Sequence, residues 1–155
     1  MKRAYLGLGS NLGDRLANVR EAVRRLGLVE GVRVLNVSST VETEPVGGPP
    51  QPKYLNAACE IETELSAREL LNAVLAIEDA MGREREARWG PRNIDVDVLM
   101  LGSDIVDEPD LTVPHPRMHE REFVLRPLDE IAPDVKHPRT GRTVREMLKT
   151  LQGKG

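Results

Sequence analysis

Asp95 and Asp97 stand one residue apart at the end of the run Arg88-Trp89-Gly90-Pro91-Arg92-Asn93-Ile94-Asp95-Val96-Asp97. The run joins a cationic, proline-stiffened loop to an alternating strand. Side chains on a strand point to alternate faces, so the two carboxylates project from one side, roughly 6–7 Å apart. Carboxylates at that separation can share one or two hard divalent cations. Ile94, Val96, Val98 and Met100 then fall on the opposite face, where packing would fix the register. Arg83, Arg85, Arg88 and Arg92 precede the strand, and guanidinium groups suit multidentate recognition of phosphate. The combination points to phosphate chemistry assisted by metals. A plain alternative stays open: a solvent-facing strand after a solvated loop in which Glu84 and Glu86 alternate with the arginines.

Such a site needs a scaffold, and 155 residues suffice for one domain with its own core, residues 1–155. A formal net charge of −3 argues against a general nucleic-acid binder and leaves the arginine cluster for a small anion. Cys59 is the one cysteine and shares an alternating face with Leu55, Ala57 and Ile61, so it reads as a buried, inert thiol. The apolar run after Lys2 and Arg3 ends by Ser10 and Asn11, too short for a signal peptide or a membrane span, and a cytoplasmic protein is expected. Seventeen arginines against five lysines hint weakly at heat adaptation or at genome base composition.

The elements follow from periodicity. Ala4 to Leu8 reads as a strand, and Gly9-Ser10-Asn11-Leu12-Gly13 as the turn into a helix. Asp14 caps that helix, Leu16, Val19, Ala22, Val23 and Leu26 line its apolar side, and Gly27 stops it. Val32 to Val41 predicts a second strand and Leu55 to Glu64 a third, separated by a glycine- and proline-rich surface loop from Glu44 to Pro52. Ser66 and Glu69 have capping-box spacing ahead of a helix bearing Leu70, Leu71, Val74, Leu75, Ile77 and Met81, which Gly82 ends. Ile94 to Leu101 is the fourth strand. The order strand, helix, strand, strand, helix, strand predicts an α+β, ferredoxin-like antiparallel sheet with helices on one face. Asp95, Asp97, Tyr54 and Asn56 would then share the open face. After residue 102 the pattern predicts mostly loop, wrapping the domain, until a second capping box at Thr143 and Glu146 begins a short helix.

Other motifs fit poorly. The glycines around Gly7 to Gly13 lack dinucleotide-fingerprint spacing, and an antiparallel sheet has no dinucleotide crevice. His115 and His119 could meet on a helix, but Pro114 and Pro116 oppose one there and no third metal ligand converges. His115 serves better as a polar contact to a phosphate or nucleotide, or simply as a satisfied loop histidine. Glu78 falls within the apolar spacing of its helix and must meet a polar ligand, an arginine or solvent. A flat ligand stacked between Tyr54 and Phe123 is geometrically plausible.

Several segments together resemble the 6-hydroxymethyl-7,8-dihydropterin pyrophosphokinase family of folate biosynthesis. They are Gly9-Ser10-Asn11-Leu12-Gly13-Asp14; Thr43-Glu44-Pro45-Val46-Gly47 with Tyr54-Leu55-Asn56; Arg88 through Asp97; and Val113-Pro114-His115-Pro116-Arg117-Met118, continuing through Arg121 and Phe123 to Leu128. The resemblance spans nearly the whole chain. It implies transfer of the terminal diphosphate of ATP to the pterin hydroxymethyl oxygen, with release of AMP. By the same resemblance Asp95 and Asp97 hold two Mg²⁺ ions. Arg83 and Arg92 handle the moving phosphates, and Glu78, Arg85, Arg88, Trp89, His115 and Arg121 fall at nucleotide positions. Tyr54 and Phe123 would sandwich the pterin, and Asn56 with the backbone around Thr43, Pro45 and Val46 would read its edge. Glu86 and Pro116 depart from residues found in some relatives. A monomer without nucleic-acid or membrane partners is expected. Another two-metal nucleotidyl transferase, or a ligand sensor without turnover, are the alternative readings.

Overall fold

The computed structural model describes residues 1–44, 52–82 and 93–153. Its centre is strand β1, Lys2–Ser10, flanked by β4, Tyr54–Thr63, and β5, Asp95–Leu101, both antiparallel to it. Strand β2, Val32–Val37, and the short β3, Val41–Thr43, pair with the far side of β4. The sheet order is β2-β4-β1-β5, with β3 beside β4. Helices α1, Arg15–Leu26, and α2, Ala67–Ala80, cover one face. Their Val19, Ala22, Leu26, Leu70 and Val74 join Leu6, Leu8, Ala57, Ile61, Val96 and Val98 in the first buried cluster. This is the expected α+β, ferredoxin-like arrangement.

The helix ends follow the capping chemistry in the sequence. Asp14 accepts the Ala17 amide at 3.1 Å. Both halves of the capping box are made at Ser66 and Glu69, and again at Thr143 and Glu146. Gly82 follows α2 with φ of 75°, the left-handed stop its position predicts. Gly27 follows α1 in right-handed geometry, φ −67°, so it ends that helix by a different turn.

Three differences from the expected pattern matter for the site. The stretch expected as one strand to Val41 breaks at Ser38, because the Ser38 hydroxyl, in place of a ladder carbonyl, takes the Ala58 amide at 2.8 Å. The chain steps there and resumes as β3. A bulge at Leu99 lets Tyr5 pair with Met100 and Leu6 with Val98, which turns Met100 to the face opposite Val96 and Val98. And the segment after residue 102, expected mostly as loop, contains the hairpin of β6, Val106–Glu108, and β7, Leu111–Val113, then a 3₁₀ turn, Met118–Glu120, and helix α3, Glu122–Ile131.

Pro127 lies inside that helix and costs it a backbone hydrogen bond, on the order of 3 kcal/mol in a helix interior. Packing overrides the cost. Val124, Leu125, Leu128 and Pro127 itself are buried. With α4, Val144–Leu151, they cover Tyr5, Ala58, Leu99 and Met100 in a second cluster on the sheet's other face. Helices therefore lie on both faces, but α3 and α4 cover the second only from Ala58 and Leu99 outward.

A polar contact under that cover can be tested. The Tyr5 hydroxyl donates to the buried Glu60 carboxylate at 3.0 Å, and Arg3 approaches the same oxygen at 3.4 Å. Tyr5→Phe leaves Glu60 one partner short, and urea unfolding is expected to show a loss of about 1–3 kcal/mol. An unchanged midpoint would mean that Arg3 alone satisfies the carboxylate.

Candidate functional site

Register decides what the uncovered half of the second face carries. Gly9 lies opposite Asn56 on one side and Asp95 on the other, and Gly7 lies opposite Ala58 and Asp97. Paired residues share a face, so Asn56, Gly9, Gly7, Asp95 and Asp97 all point the same way. Tyr54 precedes Asn56 by the strand period, and Thr43 pairs with Tyr54 from β3. Asn56 and Asp95 are two strand spacings apart, roughly 10 Å, with only glycine backbone between them. The predicted open face is thus assembled. Gly9, read in the sequence as part of a turn, lies inside β1.

Local contacts hold these strands in place. Asn11 donates to the Pro52 carbonyl at 3.1 Å, and Arg15 to the Lys53 carbonyl at 2.9 Å while pairing with Glu42 at 2.8 Å. The turn after β1 therefore pins the entry to Tyr54 and ties it to β3. Glu130 near the end of α3 accepts the Ser39 amide at 3.0 Å and the Ser39 hydroxyl at 2.6 Å, locking the step between β2 and β3. Asn93 donates to the Met81 carbonyl at 2.6 Å, fastening the entry of β5 to the end of α2.

Glu78 is buried at 5 % exposure, and its carboxylate accepts the Val96 amide at 2.8 Å. Val96 sits between the two aspartates on β5, at one end of the sheet order. The sequence left a polar ligand, an arginine or solvent as partners for Glu78; this backbone contact is one that its apolar spacing alone did not reveal.

Asn56 is 6 % exposed and donates through Nδ2 to Thr43 Oγ1 at 2.6 Å and to the Val41 carbonyl at 3.4 Å. A carbonyl accepts only, so Oδ1 must be the other amide atom, facing Gly9. Among the described residues no donor reaches it. A buried acceptor left unpaired costs about 1–3 kcal/mol, which a ligand N–H would recover.

Two carboxylates at the opposite edge complete the surface. Asp95 is partly exposed and Asp97 exposed. Among the described residues no cluster of three or more histidine, cysteine or acidic side chains forms. A pair of hard oxygen ligands still fits Mg²⁺, which keeps several waters and takes the rest of its octahedron from substrate phosphates.

His115 follows β7 after a cis Val113–Pro114 bond, and its amide donates to the Leu99 carbonyl of β5 at 2.9 Å. Its Nδ1 accepts the Arg117 amide at 3.2 Å, so the neutral ring carries its proton on Nε2 and offers a donor there. Arg121 stands 5.6 Å from the centroid of Phe123, in cation–π range. Phe123, in the first turn of α3, packs against the cluster containing Ala58 and Leu99, at the boundary of the bare face. His119 lies in the 3₁₀ turn beside Glu120. Pro45, Val46, Arg83, Arg85, Arg88, Trp89 and Arg92 lie outside the described residues. Cys59 is buried on the helix-covered side, its thiol pushed up to about 12 by burial and the nearby Glu60 charge, so it is inert as expected. Among the described residues the depression between α1 and residues 37–40 is lined by Leu16, Val19, Arg20, Val23, Val37 and the hydroxyl-bearing Ser38, Ser39 and Thr40, without a carboxylate or imidazole.

Burial, then the charges of Arg121 and Arg117, hold His115 down at about 4. Between about 4 and the ordinary 6.5 the unfolded chain binds the proton and the folded chain does not, so stability is full above 6.5 and declines as pH falls toward 4. Imidazole NMR should show His115 neutral at pH 6 in its Nε2–H form; a charged ring at that pH would contradict the assignment.

The family described as 7,8-dihydro-6-hydroxymethylpterin-pyrophosphokinase matches residues 5–133. A protein of Methylorubrum extorquens named 2-amino-4-hydroxy-6-hydroxymethyldihydropteridine pyrophosphokinase is 49 % identical over 155 residues, covering 100 % of this chain and 97 % of that one. The folic acid synthesis protein fol1 of Schizosaccharomyces pombe is 44 % identical over 99 % of this chain, which spans only 21 % of its length. Among solved structures, wild-type Plasmodium falciparum HPPK-DHPS superposes with a TM-score of 0.75 over 96 % of this chain and 44 % of its own at 15 % identity, a likeness of fold. With two carboxylates edging one sheet face and a match over most of its length, the chain belongs to the 7,8-dihydro-6-hydroxymethylpterin-pyrophosphokinase family.

Proposed function

We propose that this chain, as one domain over residues 1–155, transfers the diphosphate of ATP to the hydroxymethyl oxygen of 6-hydroxymethyl-7,8-dihydropterin, giving AMP and the pterin diphosphate ester in folate biosynthesis. One observation carries the reading. The Asn56 amide oxygen, which no donor among the described residues reaches, and the carboxylates of Asp95 and Asp97 lie on the same sheet face, one on each side of Gly9 and Gly7.

The chemistry asks for positioning and charge neutralisation more than for a covalent intermediate. Asn56 fixes the rotation of the pterin ring by accepting an N–H from its edge, held in that orientation by Thr43 and Val41. Tyr54 and Phe123 flank the ring, and the backbone near Thr43, Pro45 and Val46 completes the edge contacts. The hydroxymethyl group then extends along the glycine strip toward β5. Asp95 and Asp97 are the ligands for two Mg²⁺ ions, which when bound supply positive charge to the phosphates and the acceptor oxygen. His115 donates its Nε2 proton to a nucleotide oxygen without being charged itself. Arg121, Arg85, Arg88 and Trp89 hold the nucleotide with it, Glu78 supports that side through β5, and Arg83 and Arg92 meet the charge of the moving diphosphate.

The proposed unit is a monomer with no nucleic-acid or membrane partner. No helix among the described residues is long and apolar enough to cross a membrane, and ATP as co-substrate supports a cytoplasmic setting.

Purified protein given ATP, Mg²⁺ and the pterin is expected to yield AMP and the diphosphate ester in equal amounts, separated by anion exchange. Pterin-dependent ADP or free pyrophosphate would reject the reading, and so would untouched ATP, which a sensor predicts. Asp95→Ala and Asp97→Ala should each abolish Mg²⁺-dependent turnover while thermal melts change little, because neither side chain belongs to a buried cluster. Wild-type turnover in either variant would remove that residue as a metal ligand.

A further inference from the structure

The sheet ends at β2, which pairs with β4 on one side and, among the described residues, with no strand on the other. Its six residues include three valines and a leucine, a composition that favours pairing, and Val37 is 38 % exposed. Such an edge is a template for another strand unless something occupies its outward amides.

Register identifies those amides. Ser38 donates to the Ala58 carbonyl at 2.9 Å, and the Gly31 carbonyl accepts the Glu64 amide at 3.1 Å, so residues 38 and 31 turn their backbone groups toward β4. Alternation then directs the amides of Val32, Val37 and Ser39 away from it. Each meets an acceptor of its own chain. Val32 donates to the Val29 carbonyl at 3.1 Å, within the turn that starts the strand. Val37 donates to Asn36 Oδ1 at 3.0 Å. The Ser39 amide donates to both Glu130 oxygens, at 3.0 and 3.2 Å, and its hydroxyl adds a bond at 2.6 Å. Asn36 and Glu130 come from different elements, yet they serve consecutive outward positions one strand period apart. The register shift between Val34 and Asn36 adds a bend to the same edge.

We infer that the β2 edge is a pairing surface for a second copy of this chain, held closed by Asn36 and Glu130. The protein stays a monomer because its own side chains occupy the amides that the β2 of another copy would take. The occupant follows from the edge itself. A two-fold axis sets β2 antiparallel to its counterpart, each copy presenting the same groups to the other. Val37, with Leu16, Val19 and Val23 of α1, also lines the apolar depression beside the edge, which an added strand would begin to cover. The inference concerns assembly and does not depend on the ligand assigned to the sheet face.

The test is sedimentation velocity over a concentration series on the wild type, Asn36→Val, Glu130→Ala and the double variant. The wild type is expected to run as a monomer throughout. A two-fold pair uses each freed amide twice, so the double variant should dimerise about thirtyfold more tightly even when each new bond is worth only about twofold to threefold. Asn36→Asp keeps the acceptor and should stay monomeric. Hydrogen exchange in the dimer should protect the amides of Val34 and Val37, which locates the contact on this edge. A double variant that stays monomeric over the same range, with wild-type far-UV dichroism, overturns the inference. So does a wild type that dimerises as tightly as the double variant, or a dimer whose β2 amides exchange as they do in the monomer. If loss of Glu130 lowers the melting point, Asn36→Val alone decides, because residue 36 is exposed and its bond is local. About fivefold tighter association is expected of it, and none would overturn the inference.

Discussion

Everything at the candidate site depends on the registry of three adjacent antiparallel strands. The two-residue period of a strand leaves no intermediate states: a slip of one residue in β5 would send Asp95 and Asp97 into the helix-covered core and Val96 and Val98 onto the open face. Burial of Leu6, Leu8, Ala57, Ile61, Val96 and Val98 against α1 and α2 therefore fixes the functional face from behind. The same side chains that stabilise the fold decide which groups can meet a ligand.

The second face is divided, and the division comes from side-chain size. Beyond Leu99 the face presents Tyr5, Ala58 and Met100, which α3 and α4 cover. On the other side of that line the central strand carries Gly7 and Gly9, which have no side chain for a helix to pack on; Asp95 stays partly exposed and Asp97 exposed, while Asn56 is buried. The Leu99 bulge sharpens the boundary by turning Met100 into the covered half. Polar contacts then hold the edges: Glu130 on Ser39 at the β2–β3 step, Glu78 on the Val96 amide, and Asn93 on the end of α2. Each joins a loop or strand end to a helix, where packing alone leaves positions loose.

Much of this was legible in the sequence because it rests on local periodicity. Alternation placed Asp95 and Asp97 on the face of Tyr54 and Asn56, and the capping boxes at Ser66 and Thr143 marked two helix starts. The rest depended on contacts between distant segments. Helix α3 carries Pro127 in its interior and is held by burial of Val124, Leu125 and Leu128 against the sheet, contacts that the local pattern does not show. The break at Ser38 reflects its hydroxyl accepting the Ala58 amide of β4 in place of a ladder carbonyl on its own strand, and the flip of Met100 needs one extra residue that no pattern of alternating side chains announces. Glu78 was marked by its place in an apolar row, but its contact with Val96 appears only when α2 and β5 are brought together. Gly9 looked like part of a turn because strands seldom keep glycine inside them, and its place inside β1 emerges only from its pairing with Asn56 and Asp95.

On the proposed function, the metal-assisted centre sits on the sheet face of Gly7 and Gly9, beside β5 and within reach of β1. Replacing Mg²⁺ by paramagnetic Mn²⁺ in the presence of ATP and following backbone amide resonances tests this most directly. The prediction is strong broadening at Gly7, Gly9, Val96 and Asp97, with α1 and the β2–β3 step little affected. Broadening centred on Asp14 and Glu21 of the α1 side, with the β5 amides sharp, would contradict it.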